Sequence, residues 1–157
     1  MTGPKTGGRS LTAVCYELLS EERYSLARVL GDFATETLKK HSKEQSRMTM
    51  VVNRAQAYKW SGDEETARRI VSSEDWTAAS DRFKLAQAVV LNDLEETLKI
   101  MKRIGNDGEV KKNDYRDWPL FLEMRKKPEF GKAFSEIFGE VLNTFTIDPK
   151  DAQDNVD

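Results

Sequence analysis

The sequence predicts an all-α chain of stacked helical hairpins, an α-solenoid of about four antiparallel pairs. Three observations carry this reading. From Ser10 onward, apolar residues recur at spacings of three and four, which places them along one face of a helix. Alternating apolar runs of the kind that make strands are nearly absent. Finally, the twelve residues from Ala55, AQAYKWSGDEET, are echoed 31 positions later from Ala86 as AQAVVLNDLEET, with six of the twelve positions identical. A single helical hairpin cannot bury both its faces, so a hairpin that recurs at such a period implies neighbours stacked upon it.

The elements follow in order. Leu11, Val14, Cys15, Leu18 and Leu19 mark a first helix, and Leu26, Ala27, Leu30, Phe33, Ala34 and Leu38 a second. The link Ser20-Glu21-Glu22 between them is short enough to force an antiparallel pair. A second pair comprises a helix over 46–60, a turn at Ser61-Gly62-Asp63 and a helix carrying Ala67, Ile70 and Val71. Gly62 suits the left-handed position that ends a helix, and the Asp63 carboxylate can accept from the free N–H groups of the next. The third pair is the echo, with helices predicted over 77–91 and 94–104 and a turn at Asn92-Asp93. Ala55 and Ala86 are small where helices approach, Tyr58 fills space near the turn, and Glu64, Glu65, Glu95 and Glu96 sit at positive helix starts.

After a polar loop over 105–114, Asp117 is expected to cap a helix bearing Trp118, Phe121 and Leu122. Pro128 then opens a last helix whose face runs through Phe130, Phe134, Ile137 and Phe138 to Val141 and Leu142. Such a stripe is too apolar to be left in water, so it should pack back on the third hairpin as a cap, with Trp118 and Phe121 closing the seam. The predicted organisation is a disordered leader over 1–9, one helical-repeat domain over 10–143 and an acidic disordered tail over 144–157.

Composition narrows the function. Lys and Arg total 25 against 27 for Asp and Glu, a balance with no overall field to attract nucleic acid or an anionic membrane. No apolar run is long enough to span a bilayer, and the start lacks a secretory core; a single cysteine, Cys15, permits no internal disulfide. A cytoplasmic protein is expected, without membrane attachment. Gly3 to Ser10 reads G-x-x-x-x-G-R-S, but no strand can precede it and Arg9 stands where a phosphate-binding loop needs lysine.

Chemistry is sparsely supplied. His41, the one histidine, follows Lys39 and Lys40 near a predicted helix end, where a cation interacts with free carbonyls. Cys15 lies on an apolar stripe and reads as core. One His and one Cys without ligand spacing make no metal site. The expectation is therefore no enzyme, no cofactor and no metal. Two basic clusters, Lys39, Lys40, Lys43 and Arg47, then Lys99, Lys102, Arg103, Lys111, Lys112 and Arg116, are interleaved with acids. They support, as the alternative function, a small regulator binding nucleic acid or an acidic ligand through a basic surface, although solvated faces are the expected reading and nucleic acid is disfavoured.

The stretch Asn53-Arg54-Ala55-Gln56-Ala57-Tyr58, followed by Gly62-Asp63 and Ala67, resembles the tetratricopeptide (TPR) repeat, whose pattern runs N-L-G-x-A-Y through G-D or G-N to a small residue in the second helix. The copy from Ala86 keeps Ala86 and Ala88 but has Val89 for the tyrosine, and the period of 31 falls short of the family's period of about 34. Trp118-Pro119-Leu120-Phe121, Arg125, Pro128 and Phe130 are similar to the closing helices of some bacterial TPR proteins. The resemblance implies a protein-interaction module whose first helices line a concave groove for a peptide or a partner's helix, in a monomer or weak homodimer. Carried over position by position, it implies groove residues Thr12, Tyr16 and Leu19, then Val52, Asn53, Gln56, Lys59 and Trp60, then Phe83, Lys84, Gln87 and Val90. Asn53 falls where the family often hydrogen-bonds a peptide, and Lys59 and Lys84 would favour an acidic one. Asn53, Gln56 and Lys59 are expected to face solvent.

Overall fold

A computed structural model describes residues 10–38 and 43–142. All regular elements among them are helical: α1 (Leu11–Ser20), α2 (Tyr24–Leu38), α3 (Glu44–Trp60), α4 (Glu64–Ser72), α5 (Asp81–Val90), α6 (Leu94–Ile104), α7 (Lys112–Asp117), two 3-10 turns (Pro119–Phe121 and Met124–Lys126) and α8 (Pro128–Phe138). The first six form three hairpins. No described helix is long and apolar enough to cross a membrane. The leader over 1–9, His41, Lys39, Lys40, Asn143 and the tail over 144–157 lie outside the described residues.

The three hairpin turns are built identically. In each, the second residue past the helix has a left-handed backbone: Glu22 at φ 59°, Gly62 at φ 94° and Asn92 at φ 58°. In each, the following N–H turns back to a carbonyl five residues earlier, Arg23 to Leu18 at 2.8 Å, Asp63 to Tyr58 at 2.9 Å and Asp93 to Ala88 at 2.9 Å. This double closure satisfies carbonyls that the helix end leaves free. Asp63 and Asp93 then cap the next helix, accepting from the N–H groups of Thr66 and Glu96.

Those turns fix the register and correct the repeat. Gly62 aligns with Asn92, and Asp63 with Asp93, so the structural offset is 30 residues, one fewer than the ungapped sequence match. Burial agrees: Ala27, Ala67 and Thr97 occupy one fully buried position of the second helices, and Cys15, Ala55 and Leu85 one of the first helices. Identity at Ala86 therefore coincides with Gln56 in space, not with Ala55.

The first helices neighbour one another in succession: α3 packs on α1 and α5 as well as on α2 and α4. Gly31 lets α2 and α3 approach closely, for a Cβ there would lie 3.2 Å from the Cβ of Arg54. One apolar core runs from Met48 of α3 to Phe134 of α8, and a second, holding Cys15, Leu19, Ala27, Ala34, Met50 and Ala57, joins α1, α2 and α3.

The fourth unit departs from expectation. Asp117 ends α7 instead of capping a helix, because Trp118, the residue before Pro119, is extended at ψ 123°. Within the predicted polar loop, α7 already begins at Lys112, whose preceding N–H is held by the Asp114 carboxylate. The third first-helix starts at Asp81, since the Asp75 carboxylate holds Thr77 in a turn. The last helix stops at Phe138, where Gly139 is left-handed, and leaves Val141 exposed. So three hairpins are followed by a helix, two 3-10 turns and a helix. As expected, α8 packs on α6. Tyr115 stands at the centre of the seam with Phe121, Phe130, Phe134 and Phe138 around it, and Trp118 meets Phe121 edge-on.

Candidate functional site

The groove positions separate into three settings. On α3 the polar residues expected to face solvent are interior: Asn53, Gln56 and Lys59 are 3%, 0% and 5% exposed. Each has a structural task. Asn53 donates to the Thr12 carbonyl of α1 at 3.3 Å, and Gln56 donates to Asn53. Lys59 extends to the end of α5, donating to the carbonyls of Val89 at 3.0 Å and Val90 at 3.1 Å and to Asn92 Oδ1 at 2.6 Å. A cation at free C-terminal carbonyls is a favourable arrangement. Burial lowers the Lys59 pKa, and these acceptors favour the charged form against that cost. The expectation of a solvent-facing Asn53, Gln56 and Lys59 is thereby corrected.

Leu19, Val52, Phe83 and Val90 are core, while Thr12 and Trp60 are half-buried. Tyr16 is the most open of the set, and its phenol is pushed up by burial and by the Asp114 and Asp117 carboxylates, against the pull of Ser20 and Arg125. Arg125 itself donates to the carbonyls of Tyr115 and Trp118.

Lys84 and Gln87 lie elsewhere. With Ala88 and Leu91 they form one face of α5 and line an open cleft of about 460 Å³ between the α4–α5 connector and α6. Trp76, Ala88, Leu91 and Ile100 supply apolar surface, and Glu74, Asp75, Asp93 and Glu96 supply carboxylates. Glu74 is neutralised by Arg47 through two contacts of 3.0 Å, and Glu96 pairs loosely with Lys99 at 3.4 Å.

Between the first two hairpins the space beside Arg54 and Ile70, which align with Lys84 and Ile100, is reduced to about 50 Å³. Tyr58, which aligns with Ala88, donates to Asp32 Oδ2 of α2 at 2.8 Å, and Arg54, which aligns with Lys84, donates to the other carboxylate oxygen at 2.8 Å. Arg28 lies 4.4 Å over the Tyr58 ring. Alanine at 88 leaves nothing to reach across, and that absence opens the cleft. Sequence reading assigned Tyr58 to the turn; the tyrosine-to-alanine difference at the aligned position was the available signal, hidden by a register one residue wrong.

A third surface corrects the reading of the second helix, for Leu26 and Phe33, expected on its apolar face with Ala27 and Ala34, are exposed. Leu26, Val29 and Phe33 form an exposed stripe on α2, at 47%, 68% and 63%. The aligned residues are Thr66 and Arg69 on α4 with Ser73 just past its end, and Glu96, Lys99 and Arg103 on α6. The same outer face is polar in the other two hairpins.

Catalytic groupings are thin among the described residues. No group of three or more His, Cys, Asp or Glu residues is placed to hold a metal. Cys15 is fully buried, and burial pushes its thiol up to about 11, where the nucleophilic thiolate is scarce at neutral pH. Most of the second basic cluster is paired: Lys99 with Glu96, Lys102 with Glu136, Arg103 with Asp81, and Lys112 and Arg116 both with Glu140. In comparisons with known proteins, no family model matches the chain, and neither a curated protein nor a solved structure matches it.

Proposed function

We propose that this chain is a non-catalytic, TPR-like interaction module that holds a peptide or a partner's helix. The supporting observation is the cleft on α5, an open concavity in which Trp76, Ala88, Leu91 and Ile100 stand among seven polar residues, and concave surfaces are where ligands are usually recognised. The recurring turn geometry and the succession of first helices support the repeat reading, since stacked hairpins of this kind present extended surfaces to partners. The binding surface is the Lys84, Gln87 and Leu91 face of α5, because the α3 positions are committed to holding hairpins together. Against a basic-surface regulator stands the pairing of Lys102, Arg103, Lys112 and Arg116 with carboxylates, which leaves little unbalanced positive charge for phosphates.

The test is selection of a displayed random-peptide library on the immobilised full chain, followed by anisotropy titration of the recovered peptides. Saturable one-to-one binding is expected. A library that yields no saturable binder would remove the interaction reading.

A further inference from the structure

Two residues that line the cleft, Lys84 and Ala88, align with Arg54 and Tyr58 of the preceding hairpin, whose side chains pack between the first two hairpins, and that correspondence points to an occupant. Between the first two hairpins the filling is an aromatic ring with cations around it: Tyr58, with the Arg28 guanidinium 4.4 Å and the Arg54 guanidinium 5.8 Å from its centroid, anchored on the Asp32 carboxylate. Between the second and third hairpins the aligned positions hold Ser72 for Asp32 and Ala88 for Tyr58, while Arg68 and Lys84 stand for Arg28 and Arg54. The ring and its anchoring carboxylate are both replaced there, and other carboxylates, Asp75, Asp93 and Glu96, line the opening. Asp75 and Asp93 each accept from a nearby N–H group, and neither has a cation within ion-pairing distance among the described residues. The only cation lining the cleft among those residues is Lys84.

We infer that the cleft docks a basic peptide segment of a partner protein, presenting one aromatic or large aliphatic side chain flanked by arginine or lysine. The anchor enters where Tyr58 would lie, over Ala88 and Leu91 and against Trp76 and Ile100. Its basic neighbours face Asp75, Asp93 and Glu96. This rests on the interaction reading above and adds the partner's chemistry. Removing the apolar anchor from water supplies affinity, while the carboxylates select the sign of the flanks and steer encounter.

The test is a display library in which one Phe is fixed and the flanking positions are randomised, panned on the full chain. Enrichment of Arg and Lys at the flanks is expected. An enriched peptide should bind about fivefold to tenfold more weakly to Asp93→Asn/Glu96→Gln, which keeps the helix cap while removing charge, and its affinity should fall as salt rises. Ala88→Tyr should weaken binding by more than about tenfold through steric filling. Gln87→Glu, a second cleft variant that needs no repacking, should strengthen it. Binders with no charge preference, or with affinities unchanged in Asp93→Asn/Glu96→Gln and in Gln87→Glu, would overturn the inference while leaving an interaction module in place. Absence of any binder would sink both.

Discussion

The ammonium of Lys59 lies 3.0 Å from the carbonyl oxygen of Val89, joining the end of α3 to the end of α5. Lysine here is a fastener between successive hairpins. Lys59→Met keeps the stem and removes three donors, leaving the α5 carbonyls without their cation. Chemical denaturation should show a loss of about 2 kcal/mol, within the range for hydrogen bonds to charged groups. An unchanged midpoint would mean that the contact contributes nothing.

Tyr115 makes the opposite case. Its hydroxyl is buried without a hydrogen-bond partner among the described residues, while its ring packs 5.1 Å from Phe121 and 5.8 Å from Phe138. Tyr115→Phe keeps the ring contacts and removes an unsatisfied polar group, so thermal melting should stay level or rise, by up to ~1 kcal/mol in stability. A clear drop would reveal a partner for the hydroxyl.

Asp81 opens α5 and holds Arg103 of α6 through contacts of 3.0 and 2.8 Å. The guanidinium lowers the carboxyl's pKa below its ordinary 3.8. A carboxylate with a depressed folded pKa contributes stability above the unfolded value, and that contribution is lost as pH falls from 3.8 through the folded value. Asp81→Asn should therefore lower stability at neutral pH and make its acid dependence shallower below about pH 4. Parallel acid melts of the two proteins would count against the pairing.

The fourth unit should be indispensable to the fold. Ending the chain at Arg116 removes Phe121, Phe130 and Phe134, all fully buried, and uncovers the face of α6. The shortened chain is expected to aggregate or to lose cooperative melting, as an uncovered apolar face predicts. Cooperative melting of a monomer near the full-length temperature would contradict the capping role.

Much of this fold was legible because its signals are local. The spacing of Leu11, Cys15 and Leu19, Gly62 before Asp63, and Pro128 ahead of Phe130 each dictate a nearby backbone geometry, and each element stands where they place it. Trp118 was misread as the start of a helix because its spacing to Phe121 is helical, whereas Pro119 makes its backbone extended. The site was less legible for a different reason. Whether Asn53, Gln56 and Lys59 meet water depends on what α1 and α5 bring against them, and no local pattern encodes that. The cleft depends on Ala88 standing where Tyr58 stands one hairpin earlier, a comparison that needs the turn geometry to set the alignment.

The central claim is best tested by paramagnetic relaxation on the isotope-labelled full chain, with a spin label on a library-selected peptide. Broadening is expected around Lys84, Gln87, Leu91 and Ile100, with the α2 amides of Leu26, Val29 and Phe33 unaffected. Broadening confined to the α2 stripe, with the α5 and α6 resonances unchanged, would contradict the assignment of the cleft as the binding surface.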